Sequence, residues 1–256
     1  PKGPLAQLGL LEEVSQADCP SRSHYVFAPD GSILGYYGNA FSKSMRGIGQ
    51  RGNLRVPRQK LREILLQKFQ QLVKEQNAQS QILWGHSILD LCEVEVEGEV
   101  HVELKLQRNS NSNDGETPSE KLCSKTVRLL ITADGVHSSV VSKLAPRCKP
   151  QPLNVGIILG ISENNNQHTL LNERGFYTID GKHRLFIMPY QGDQYASVRR
   201  TMWQLSYQCD QEEKEDSAVF SNPEFLRDKV LKICYSWHQP VTSMVEATPL
   251  DTIWGT

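Results

Sequence analysis

The chain has 256 residues, a formal net charge of −1, 38% hydrophobic residues and 22% charged residues. That length holds one large or two small domains, and the near-zero charge removes any electrostatic case for nucleic acid or an anionic membrane as partner. No run approaches the roughly 20 apolar residues of a membrane-crossing helix.

Six cysteines without short spacing read as thiols of a reducing, cytoplasmic compartment rather than a disulfide framework. A targeting segment ahead of Pro1 is left open. Seven dispersed histidines offer no metal-ligand spacing, so no metal site is expected.

In chain order, Leu8, Leu10, Leu11 and Val14 have helical spacing and predict a helix over 5–14. Tyr25-Val26-Phe27, the turn Pro29-Asp30-Gly31 and Ile33 to Tyr37 predict a hairpin over 24–37. Gly47-Ile48-Gly49-Gln50-Arg51-Gly52 matches Gly-x-Gly-x-x-Gly letter for letter. A dinucleotide fingerprint needs a buried strand before it and a helix N-terminus within it. Polar Ser42 to Arg46 precede this stretch and Asn53 to Pro57 follow, so it reads as a polar loop.

Arg58 to Gln76 is the strongest helix pattern, with Pro57 at its start. Leu61, Ile64, Leu65, Phe69, Leu72 and Val73 form one stripe, as for a helix packed on a sheet. Arg58 at the helix start opposes the helix dipole and calls for an anion or polar ligand nearby.

Residues 81–107 alternate valine and leucine with glutamate on both sides of Glu97-Gly98, which predicts a hairpin with one wet, acidic face. The stretch 109–120 has no apolar residue and reads as a loop. Val127 to Ala133 predicts a buried strand ending at the turn pair Asp134-Gly135. Ser138 and Ser139 then stand where a helix N-cap belongs, before Val140, Val141 and Leu144. Such a strand–turn–helix puts a carboxylate and free backbone N–H groups where ligands bind in open α/β sheets, although Asp-Gly alone is among the commonest turn pairs.

Further strands are predicted over 153–161, in a hairpin over 175–190 around Asp180-Gly181-Lys182, and over 195–205. An acidic loop covers 210–216. Asn222-Pro223 opens a helix running to about Trp237, and 240–247 is a short further helix; no element is assigned to 248–256.

The stretch Ala133-Asp134-Gly135-Val136-His137-Ser138 resembles the Asp-Gly motif of single-component flavin-dependent aromatic monooxygenases, although Val141 stands where that pattern has an arginine. Arg58-x-x-Leu61-x-x-x-Leu65, after Leu54-Arg55-Val56, resembles the same family's Arg-x-x-Leu-x-x-x-Leu segment. The strands after Leu153 resemble its substrate-domain sheet. The resemblance implies a mixed α/β (α+β) chain: a partial FAD/NAD(P)-binding fold with an inserted antiparallel β-sheet substrate domain. Residues 1–150 would be the partial FAD-binding domain, with hairpin 24–37 belonging to the substrate sheet. Residues 151–247 would be the substrate sheet and its helices, and 248–256 the start of a return.

The resemblance further implies FAD and NAD(P)H as cofactors, with Arg58, Asp134, Gly135 and Ser138 as cofactor neighbours. Phe176, Phe186, Met188 and Trp203 are candidates to line a pocket over the flavin ring, with plain core as the competing reading. No protein acid or base is expected, because the cofactor carries the chemistry. The implied activity is hydroxylation of a small aromatic substrate with NAD(P)H and O₂. Two alternatives stay open. One is a flavin reductase or dehydrogenase of the same fold. The other is a truncated, non-catalytic domain, since neither the glycine loop for the ADP pyrophosphate nor the later Gly-Asp segment is found; such a segment alone would be inactive and bind FAD poorly.

Overall fold

A computed structural model describes residues 3–19, 23–38, 54–108, 122–163, 168–171, 174–190, 200–209 and 220–256. The Gly47 to Gly52 stretch, the loops at 109–120, 164–166 and 210–216, and the expected strand start at 195–199 lie outside the described residues. In chain order the elements are α1 (Pro4–Gln7), α2 (Leu11–Gln16), β1 (Ser23–Phe27), β2 (Ile33–Gly38), α3 (Arg58–Glu75), β3 (His86–Val96), β4 (Glu99–Arg108), β5 (Leu122–Val127), α4 (Ser139–Leu144), β6 (Val155–Glu163), β7 (Arg174–Ile179), β8 (Arg184–Tyr190), β9 (Arg200–Gln208), α5 (Pro223–Cys234), α6 (Val241–Glu246) and β10 (Ile253–Gly255). They form two compact units, residues 1–76 with 153–256, and residues 77–152. The chain is thus mixed α+β.

The first unit is built on a seven-stranded sheet of order β10-β6-β9-β8-β7-β1-β2. Neighbours are antiparallel except β1 and β7, which run parallel. Hairpin β1–β2 therefore joins the sheet beside β7. Ile253–Gly255 add an edge strand on β6, where the sequence suggested no element.

Alternation sorts the sheet's side chains onto two faces. Phe27, Phe176, Leu185, Ile187, Trp203, Leu205 and Ile158 turn to one face, where Leu226, Val230 and Cys234 of α5 and Val241 and Val245 of α6 close the core. Asn222 caps α5 by accepting from the Phe225 N–H at 3.1 Å, with Pro223 in the first turn, as its position suggests.

The helix expected over 5–14 is two short helices, because the chain turns at Gly9, with φ +72°. Leu10 and Val14 are buried against Ile64, while Leu8 and Leu11 stay exposed. The apolar stripe of α3 is only partly used. Ile64 is buried and Leu61 packs beside it on α2 residues, but Leu65 and Phe69 remain exposed. The expected packing of this stripe on a sheet is replaced by a helix–helix contact.

The second unit is a three-stranded antiparallel sheet, β3-β4-β5, with α4 on one face. Glu97 and Gly98 both take positive φ, 54° and 80°, and make the two-residue hairpin turn. Its register pairs Val96 with Glu99 and Val94 with His101. The valines of β3 near the tip therefore lie on the opposite face from Val100 and Val102. The single wet face read from the alternation is corrected: near the tip both faces are mixed, and Val96 and Val100 are exposed. Farther down, Leu91, Leu104 and Leu106 share one face and bury Val140 of α4.

The buried strand expected over 127–133 is also corrected. The strand is Leu122–Val127, and the following residues, with Leu129 and Ile131 at 74% and 79% exposure, are not in a sheet. A central strand exists only where a neighbour takes up its backbone hydrogen bonds, and none of the described residues pairs with 128–133.

Candidate functional site

The second face of the seven-stranded sheet is the part of the first unit with the most chemistry. Where α5 and α6 close one face, the other keeps half-exposed side chains: Val26, Tyr177, Phe186, Met188, Met202 and Gln204. Tyr177 and Phe186 are paired across β7 and β8 and stack at 4.7 Å between ring centroids. The Arg184 guanidinium lies over the Tyr177 ring, 5.5 Å from its centroid.

His24 completes this cluster from β1. Its ring stacks with Phe186 at 6.3 Å and tilts against Tyr177 at 6.5 Å. The parallel pairing of β1 with β7 sets His24 opposite Gly175. A Cβ on residue 175 would stand 2.7 Å from His24 Nδ1, so only glycine leaves room for the imidazole there. Arg55, just before α3, reaches His24 through its Nη2, which contacts Nε2. A guanidinium only donates, so Nε2 accepts and the ring is neutral with its proton on Nδ1. Burial, and then the Arg55 charge, hold the His24 pKa below the ordinary imidazole value. The Asp18 carboxylate accepts from the Arg55 backbone N–H at 2.7 Å and fixes the start of this segment.

At the far edge of the same face, Arg200 is paired with Glu163 at 3.0 Å. A shallow cavity of about 460 Å³ opens at the strand ends, lined by Asn154, Ile179, Arg184 and Gln208 among others.

The four sequence candidates for pocket lining fall on two faces. Phe176 and Trp203 are fully buried in the core against the helices, so the core reading holds for them. Phe186 and Met188 are on the half-exposed face. No reading of the sequence singled out His24, Arg55 or Tyr177. The signal available was the two-residue period that puts Gly175 and Tyr177 on one face; the partner across the parallel pairing lies too far along the chain to be read locally.

The Asp134-Gly135 turn belongs to the second unit. Asp134 and Gly135 are exposed, Gly135 takes φ +85°, and nothing lies within 4 Å of where its Cβ would be. Ser138 is buried and serves as the N-cap its position suggested: its Oγ accepts from the Val141 N–H at 3.0 Å. Asp134, Gly135 and Ser138 are thus brought into one turn. Arg58 is exposed at the first position of α3, in the first unit.

Among the described residues no group of His, Cys, Asp and Glu is arranged to hold a metal ion. No helix of the described residues is long and apolar enough to cross a membrane.

No protein-family model and no curated protein matches the chain. Solved structures do match it in fold. 2,6-Dihydroxypyridine-3-hydroxylase from Arthrobacter nicotinovorans superposes with a TM-score of 0.68 at 16% identity, over 100% of this chain and 60% of that one. HpxO from Klebsiella pneumoniae, solved with FAD and uric acid, gives 0.64 at 18% identity, over 98% of this chain and 55% of that one. CtdE, solved with FAD and a substrate, gives 0.66 at 13% identity, over 96% and 54%. The fold is therefore that of FAD-binding monooxygenases, and the chain spans little more than half the length of each of these structures.

Proposed function

We propose that this chain contributes the substrate sheet and part of the cofactor-binding region of a flavin-dependent monooxygenase that hydroxylates a small aromatic substrate with NAD(P)H and O₂. One observation carries the reading. The large sheet has a closed face and a half-exposed face, and the half-exposed face holds a stacked aromatic pair, Tyr177 and Phe186, rimmed by cations. A planar ring finds stacking surface there. The fold shared with flavin hydroxylases supports the same reading.

On this reading residues 151–247 with hairpin 24–37 form the substrate domain, and Phe186 and Met188 line its pocket. The donor set at the Asp134 turn fits part of FAD. The exposed carboxylate accepts hydrogen bonds from ribose or ribityl hydroxyls, and the open space at Gly135 admits close approach of a ligand to the backbone. Arg58 is a second cofactor neighbour, and Ser138 supports the turn. FAD supplies the transfer of reducing equivalents from NAD(P)H to O₂. The chain's own residues bind the ring, orient it and keep water from it. The compartment is proposed to be cytoplasmic.

Titration of the chain with FAD, followed by flavin fluorescence, tests the reading. Saturable binding weakened by Asp134→Ala and Arg58→Ala supports it; absence of binding by a folded chain removes it. Hydroxylated product formed in step with NAD(P)H oxidation separates a hydroxylase from the alternative, a reductase of the same fold.

A further inference from the structure

Arg55 is a half-buried guanidinium for which, among the described residues, no carboxylate forms an ion pair. Its side-chain contact is the neutral imidazole of His24, which offers a lone pair but no charge. A partly desolvated cation of this kind is costly unless an anion completes its surroundings. The carboxylate nearest in sequence and structure, Asp18, is engaged by the Arg55 backbone N–H.

The surrounding sheet face has the same bias. Its described strand positions hold one carboxylate, Glu163, and that group is neutralised by Arg200. Arg184 adds a second cation over Tyr177. Between them lie the stacked rings of Tyr177, Phe186 and His24, an apolar floor for a flat ligand.

From this juxtaposition we infer that the sheet face binds a planar aromatic acid, with its ring on Phe186 and Tyr177 and its anionic oxygen on the Arg55 guanidinium beside His24. Arginine suits this task because its planar fork meets a carboxylate with two parallel hydrogen bonds. His24 acts as a positioning residue. It holds one edge of the guanidinium by accepting from Nη2, and Gly175 leaves it the room to do so. The inference names the substrate class for the site proposed above and rests on that reading.

The test uses two probes of one shape, 3-hydroxybenzoate and the uncharged 3-hydroxybenzamide. Binding to the FAD-saturated chain is followed by calorimetry and by the imidazole NMR signals of His24. The acid is expected to bind about tenfold more tightly than the amide, as a charge-assisted pair gives. Arg55→Gln should abolish that preference, whereas Phe186→Ala should weaken both probes together. Arg55→Lys should restore part of the preference, because the charge remains and the fork is lost. Equal affinity for the two probes, binding of neither, or a preference retained in Arg55→Gln overturns the inference. FAD titration of the same samples keeps the outcomes apart: loss of flavin binding counts against the functional reading, and intact flavin binding without acid preference counts against this inference alone.

Discussion

The Trp203 indole donates a hydrogen bond of 2.9 Å to Thr248 Oγ1, and Thr248 passes its own proton to the Met244 carbonyl at 2.8 Å. Both residues are buried, so the large sheet and the end of α6 are tied by a polar link inside the core. Thr248→Val keeps the shape and leaves the indole N–H without an acceptor. It is expected to destabilise the chain by about 1–3 kcal/mol, read from the shift of the urea unfolding midpoint at unchanged slope.

The two faces of the large sheet should respond differently to the same truncation. Phe176→Ala opens a cavity in a closed core and is expected to cost about 3–5 kcal/mol. Phe186 is only half-buried, so Phe186→Ala should cost clearly less while weakening aromatic ligands. Equal stability losses in parallel denaturation curves would contradict the assignment of faces.

Gly175→Ala puts a methyl group where the His24 imidazole lies. Backbone on a central strand cannot retreat, so the ring must move. A loss of about 1–3 kcal/mol is expected, with displaced His24 imidazole resonances and loss of the contact to Arg55. Unmoved resonances would show that the ring does not occupy that space.

The pH dependence of stability follows from His24. Burial first, and Arg55 second, lower its folded pKa below the ordinary 6.5. As pH falls through 6.5 the unfolded chain takes up a proton that the folded site refuses, so stability falls on the acid side and is fully present above 6.5. His168, lowered by burial and then by His238, adds to the same trend. His24→Gln should flatten part of the acid slope in unfolding free energy between about pH 6.5 and 5, and a slope unchanged by the substitution would remove His24 from the account.

Cys234 titrates in the opposite range. Burial, helped by the Asp180 charge, pushes its thiol up from 9.0 to about 12. Between those values the unfolded chain releases a proton that the folded core retains, so stability declines as pH rises above 9.0. In the native state at pH 8, Cys92, Cys123 and Cys148 are exposed and should react quickly with a thiol reagent, whereas buried Cys234 should react only on unfolding. Mass mapping of the modified peptides checks both.

Much of the secondary structure is local and was legible. Pro57 before α3, Asn222-Pro223 before α5, Glu97-Gly98 between β3 and β4, and Ser138 before α4 each act on backbone groups within a few residues. Turn and cap chemistry needs no distant partner, so the residue types suffice. The Asp134-Gly135 turn and its resemblance to a flavoprotein motif are of the same kind.

Tertiary structure decided the rest, because it depended on pairing. Alternation along β3 and β4 states which residues share a face within a strand, but the register of the turn decides that Val94 and Val100 lie on opposite faces. Val127 to Ala133 is apolar enough for a buried strand, yet strand character needs a hydrogen-bonding neighbour. Phe176 and Phe186 look alike in sequence, and only the closure of one face by α5 and α6 makes the first core and leaves the second half-exposed. The grouping of His24, Arg55, Gly175, Tyr177 and Phe186 arises because β1 pairs in parallel with β7 across a long stretch of chain. No local preference encodes that contact; it is set by the burial of the whole sheet.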